Sequence, residues 1–168
     1  MRYLLCALTL MCGICISKPI LASSNEESYK YISGGANFID KAPCLSVGYR
    51  QRWEGNLGWD SAITYATLGV SHHFSWHGVV HYYLNDDKNA PYIGVGARIG
   101  EMLYNADRRW MGMISADYVI GKVLMSEGHS SHFVEMHIAS PTGWRDHTTH
   151  NKGVNASPFV FLTYGVAF

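Results

Sequence analysis

Phe161-Leu162-Thr163-Tyr164-Gly165-Val166-Ala167-Phe168 decides how the chain is read. Counted with period two, Phe168, Val166, Tyr164, Leu162 and Val160 share one face of a strand. Ala167, Gly165 and Thr163 share the other, with Phe161 as the exception. Soluble domains usually fray into polar residues at their termini. A wide apolar face that runs to a final aromatic ring suits a membrane barrel instead, whose last strand closes the cylinder and sets the ring at the bilayer interface.

The other end of the chain agrees. Met1-Arg2 is a short positive region, and an apolar stretch follows from Tyr3 to Ile16. Lys18-Pro19 breaks that run, and Ile20-Leu21-Ala22-Ser23-Ser24 offers small residues for cleavage. The layout predicts a secretory signal peptide over 1–22, cut after Ala22 or alternatively Ser24, and too short for a comfortable span. Cys12 and Cys15 lack the small preceding residue that a lipoprotein signal needs. A single mature domain, 23–168, remains, with Cys44 its one thiol and hence no internal disulfide and no zinc-type cysteine spacing. Thirteen basic and thirteen acidic residues balance, which points away from a nucleic-acid partner. Mean hydropathy is −0.04, and no second stretch approaches a spanning helix. A membrane-crossing form must then be a closed barrel, because an open sheet leaves unpaired amides in lipid.

Period-two segments and turn signals predict an all-β, eight-stranded antiparallel up-and-down transmembrane barrel. Its strands are expected over 29–39, 43–53, 57–67, 73–85, 91–102, 113–125, 132–140 and 157–168. Pro43, Pro91 and Pro158 open strands and Pro141 closes one, so that none interrupts a ladder. The faces divide sharply. Leu45, Val47 and Tyr49 oppose Ser46, Gly48, Arg50 and Arg52, while Ile93, Val95, Ala97 and Ile99 oppose Gly94, Gly96, Arg98 and Gly100. In the fourth strand Phe74, Trp76, Val80, Tyr82 and Leu84 oppose Ser75, His77, Val79, His81 and Tyr83. Val134, Met136 and Ile138 oppose Glu135, His137 and Ala139. The first strand, with Gly34-Gly35, lacks a clean apolar face, and Lys122 and Asp117 predict a bulge or a register change in the sixth.

Alternation alone does not say which face is inside. A soluble barrel puts the apolar face inside, and a membrane barrel does the reverse. The rows of glycine leave room for large charged side chains in a narrow lumen, which favours the membrane form. Arg50, Arg52, Arg98, Glu135, His77, His81 and His137 are therefore expected to meet inside as an ion-pair and hydrogen-bond network that plugs the lumen. Trp76, Tyr82, Tyr164 and Phe168 are expected at the membrane interface. The remaining histidines (His72-His73, His129, His132, His147 and His150) fall in predicted loops or turns, so neither a metal nor another cofactor is expected. Segments 40–42, 68–72, 103–112 and 141–156 become surface loops, the last two long enough to carry contacts with an unidentified surface ligand.

The signal, the eight strands and the terminal Phe168 together resemble the small OmpA/OmpX-type outer-membrane barrels. Asp117-Tyr118-Val119-Ile120-Gly121-Lys122, the stretch His132 to Thr142, and Leu162 to Phe168 look like chlamydial-type predicted barrels. The resemblance implies the bacterial outer membrane, contact with its lipids, delivery to the barrel assembly machinery through the strand ending in Phe168, and a structural or surface-interaction role. His137-Ile138-Ala139-Ser140 is similar to the tail of lipid A deacylase barrels, which pair His with a Ser two residues on. That position is Ala139 here, and Ser140 is on the opposite face, so no catalytic residue is expected. A deacylase-like hydrolase and a soluble periplasmic ligand-binding barrel are the alternatives.

Overall fold

The computed structural model describes residues 27–38, 41–53, 55–68, 71–104, 109–127, 130–147, 149, 151–153 and 157–168. The expected signal peptide lies outside these residues. In chain order the strands are β1 (Glu27–Asn37), β2 (Pro43–Arg52), β3 (Leu57–Leu68) and β4 (Ser71–Tyr83). They continue as β5 (Pro91–Tyr104), β6 (Arg109–Glu127), β7 (Ser130–Asp146), the two-residue β8 (Lys152–Gly153) and β9 (Phe159–Ala167). Each long strand pairs antiparallel with the next, and β9 pairs with both β7 and β1. Eight of the nine strands thus form a closed antiparallel barrel, and β8 extends the end of β7.

Closure depends on one close approach. At Gly35 of β1 a Cβ would run into the Leu162 carbonyl of β9, so only glycine fits at that seam. Gly35, one of the two glycines that blur the faces of the first strand, is therefore what lets it join β9.

Two register shifts lie between β6 and β7, one at Ile114/Ser115 and one at Val123/Met125. At the first, Ser115 pairs with Pro141 and Ile114 with Gly143, which leaves Thr142 as the extra residue. This corrects the expectation that Pro141 closes its strand. Proline cannot donate to a ladder, but a bulge is a place where no donor is needed. The strand runs on to Asp146, and much of the expected 141–156 loop is a hairpin of β7 with β8. Likewise, part of 103–112 is strand, since β5 reaches Tyr104 and β6 starts at Arg109.

The outward face is apolar. Val95 is 58% exposed, and Leu45, Val47, Val80, Ile93, Ile99, Ile114, Tyr118, Ile120 and Leu162 are about half exposed. Charge marks both edges of this band, with Lys122 on β6 at one end and Glu101 on β5 at the other. From Pro91, the partner of Lys122, to Glu101 is ten residues of β5. At roughly 3.3 Å per residue and a tilt of about 40°, that climb is about 25 Å, the apolar height of a transmembrane barrel. Below, the lower end means that of Lys122, Glu27 and Phe168, and the upper end that of Glu101.

Candidate functional site

Inside the barrel the chain buries its charges. Arg50, Asp60, Arg98, Asp117 and Glu135 are each no more than 2% exposed. Each sits on the small-residue face of its strand, which period-two alternation turns inward. Buried ions must be paired, and they are, in two clusters.

The first cluster surrounds Arg50 of β2. Its Nε donates to Asp60 Oδ2 on β3 at 2.8 Å, one terminal nitrogen donates to the Tyr92 hydroxyl on β5 at 2.7 Å, and the other donates to Glu135 Oε1 on β7. The Tyr92 hydroxyl in turn donates to Glu135 Oε1 at 2.7 Å, and Tyr31 donates to Asp60 Oδ1 at 2.9 Å. The guanidinium carbon lies 4.7 Å from the Phe133 ring centre and 5.1 Å from that of Tyr92. Glycine makes room for these rings. A Cβ at Gly48 would meet Tyr31, at Gly121 Tyr92, and at Gly165 Phe133.

The second cluster surrounds Arg98 of β5. Its Nε and one terminal nitrogen both donate to Asp117 Oδ2 on β6, at 3.1 and 2.7 Å, and the other terminal nitrogen donates to Ser75 Oγ on β4 at 3.2 Å. Phe161 lies under the guanidinium at 5.2 Å. Two histidines link the clusters. His77 Nε2 is 3.2 Å from Asp60 Oδ1, and His137 Nε2 is 3.3 Å from Glu135 Oε2. Their rings face each other at 5.2 Å between centres. Beside them is a cavity of about 10 Å³ lined by residues that include Cys44, Thr64, His77, Arg98, His137 and Thr163.

Of the seven residues expected inside, Arg50, Arg98, Glu135, His77, His81 and His137 are buried together, and His81 stacks on Tyr92 at 4.8 Å. Arg52 does not join them. It has the same parity as Arg50 but stands at the end of β2, past the rim. There it donates to the Asn85 and Asp87 carbonyls and covers the Tyr83 ring at 4.2 Å. The expectation missed Asp60 and Asp117, the two carboxylates that neutralise the arginines. Each stands on the inward parity of its strand, opposite Trp59 or Tyr118, and two inward arginines beside one Glu135 already implied further acids.

Tyr82, Tyr164 and Phe168 point outward near the lower edge of the apolar band, where Tyr164 bonds His132 at 2.5 Å. Trp76 also points outward, paired with Ile63 and with Ile99, which is two residues of β5 short of Glu101 and so toward the upper edge of the band. Its indole N–H is satisfied there by Ser61 Oγ at 2.9 Å. On β7, His137 and Ala139 are inward and buried, whereas the adjacent Ser140 lies on the outer face. A histidine and a serine therefore do not meet there.

No described protein family and no curated protein sequence matches the chain. Among solved structures, one from the de novo design of transmembrane β-barrels is similar, with a TM-score of 0.51 at 16% identity. The match covers 84% of this chain and 92% of the designed one, and what it shares is the fold.

Proposed function

We propose that this chain is an integral outer-membrane barrel of the OmpA/OmpX type, with a structural or surface-interaction role and no catalytic activity. One observation carries the reading: Val95 and its neighbours face outward while Arg50 is fully buried. In water that arrangement exposes the oil and buries the ions, whereas in a bilayer it satisfies both. The soluble-barrel alternative requires the reverse. The hydrolase alternative requires a histidine and a serine together on the lipid face, and β7 separates them. The side chains of the Arg50 and Arg98 clusters interlock across the lumen, so the barrel conducts little or nothing. The outward row of Leu162 and Tyr164 on β9 and Phe168 just after it is the surface offered to the barrel assembly machinery, and the band between Lys122 and Glu101 meets outer-membrane lipid.

The test is fractionation followed by detergent gels. The protein should co-sediment with outer membranes and migrate differently when boiled and unboiled, and recovery in the soluble periplasm would sink the proposal. Planar bilayers should show no ohmic steps with the intact chain. Protease shaving of whole cells should cut within 144–155 and leave the rest of the barrel protected.

A further inference from the structure

We propose that the lumen holds a divalent cation of the zinc class, ligated by His77 Nδ1, His137 Nδ1 and Asp117 Oδ1. These side chains come from β4, β7 and β6, and their ligand atoms lie within 4.8 Å of one another. His137 Nδ1 is 3.6 Å from Asp117 Oδ1, and His77 Nδ1 is 3.9 Å from Oδ2 of the same carboxylate, the oxygen that Arg98 holds. A tetrahedral zinc with bonds of roughly 2.0–2.1 Å sets its ligands about 3.3 Å apart, so the three side chains must draw together from separations of up to 4.8 Å on binding.

The hydrogen bonding fixes what these atoms present. Asp60 and Glu135 carboxylates can only accept, so His77 and His137 each carry a proton on Nε2, where they meet those acids. In a neutral ring each Nδ1 bears a bare lone pair, whereas a second proton on His137 would point Nδ1–H at Asp117 Oδ1. Both Nδ1 atoms face the Asp117 carboxylate, whose Oδ2 is held by Arg98 and whose Oδ1 is turned toward His137. Among the described residues, His77 Nδ1, His137 Nδ1 and Asp117 Oδ1 are all fully buried without a hydrogen-bond partner. Three buried acceptors facing one another repel unless something positive sits between them.

Charge points the same way. The two clusters contain three carboxylates, Asp60, Asp117 and Glu135, against two guanidiniums, Arg50 and Arg98. The outer arrangement is that of a metal site, because ligating histidines typically give their second N–H to a carboxylate that fixes tautomer and orientation. A fourth position would open on the adjoining cavity, where Thr163 Oγ1 is also unpartnered. Imidazole with one carboxylate suits zinc and its first-row neighbours better than magnesium or calcium. The sequence concealed this site because its histidines are sixty residues apart and its third ligand, Asp117, shares its strand face with Val119 and Val123.

The full chain, folded in detergent and checked by its heat-dependent mobility, is equilibrated with Zn²⁺, freed of excess and assayed for metal. One equivalent per chain is expected, and X-ray absorption at the zinc edge should show two imidazole nitrogens in the first shell. His137→Ala and Asp117→Asn should weaken zinc binding by about a hundredfold or more, while His72→Ala and His147→Ala leave it unchanged. If either ligand variant fails to fold, the absorption spectrum of the wild-type protein still decides. Folded wild-type protein with no more metal than a denatured sample overturns the proposal, since a proton on an imidazole would then supply the missing charge. So does zinc that survives in folded His137→Ala, or a first shell without two imidazoles.

Discussion

The Arg50 and Arg98 clusters start from the same parts and end differently. Each seats a guanidinium over an aromatic ring and neutralises it with an aspartate from the next strand. Arg50 then reaches across the barrel, from β2 to Tyr92 on β5 and Glu135 on β7, and its three nitrogens find acceptors on three strands. Arg98 stays on its own wall. It spends two nitrogens on one oxygen of Asp117 and the third on Ser75, both on adjacent strands. A cross-barrel network saturates itself and braces the cylinder, whereas a wall-bound network leaves atoms turned toward the lumen for another occupant. The first braces the cylinder, and on the second rests the proposed cation site.

Substitutions that strike one cluster at a time test this difference. Glu135→Gln should do most damage, because the buried Arg50 loses one of its two counter-charges and keeps only Asp60, at a cost of up to about 3–5 kcal/mol. The measurement is the urea midpoint at which the heat-modifiable form disappears. Gly165→Ala comes next. Its methyl would press on the Phe133 ring beneath Arg50, and overpacking of this kind costs about 1–3 kcal/mol. The smallest effect is expected from Thr163→Val in the Arg98 half, where the hydroxyl is buried and unpartnered. Removing an unsatisfied group of nearly the same shape should leave stability unchanged or raise it by up to about 1 kcal/mol. A loss at Thr163 as large as that at Glu135 would abolish the distinction between the clusters.

Much of the barrel was legible because period two is a strong code wherever one face meets oil and the other meets ions. Leu45, Val47 and Tyr49 against Ser46, Gly48 and Arg50 fix β2 at a glance, and Pro43 and Pro91 do open β2 and β5. Pro141 misled because a proline that ends pairing and one that sits in a bulge look alike until the partner strand is in place. The interior was only half legible. Parity tells that Arg50 and Glu135 face inward, but not that they meet, since that requires the ring to close. Arg52 shares the parity and lies beyond the rim, so parity without height also overreaches.

The bond from Arg50 to Glu135 spans 85 residues of chain. A hairpin of β1 and β2 laid alone into hydrocarbon would carry a naked guanidinium, which costs about 2.5–3.5 kcal/mol even on forgiving insertion scales. Its first counter-ion, Asp60, arrives with β3, and Glu135 of β7, itself bare until then, meets Arg50 only when the ring closes. Strand-by-strand threading into lipid is therefore disfavoured, and the cylinder has to roll up with its ions matched before, or as, it enters the bilayer.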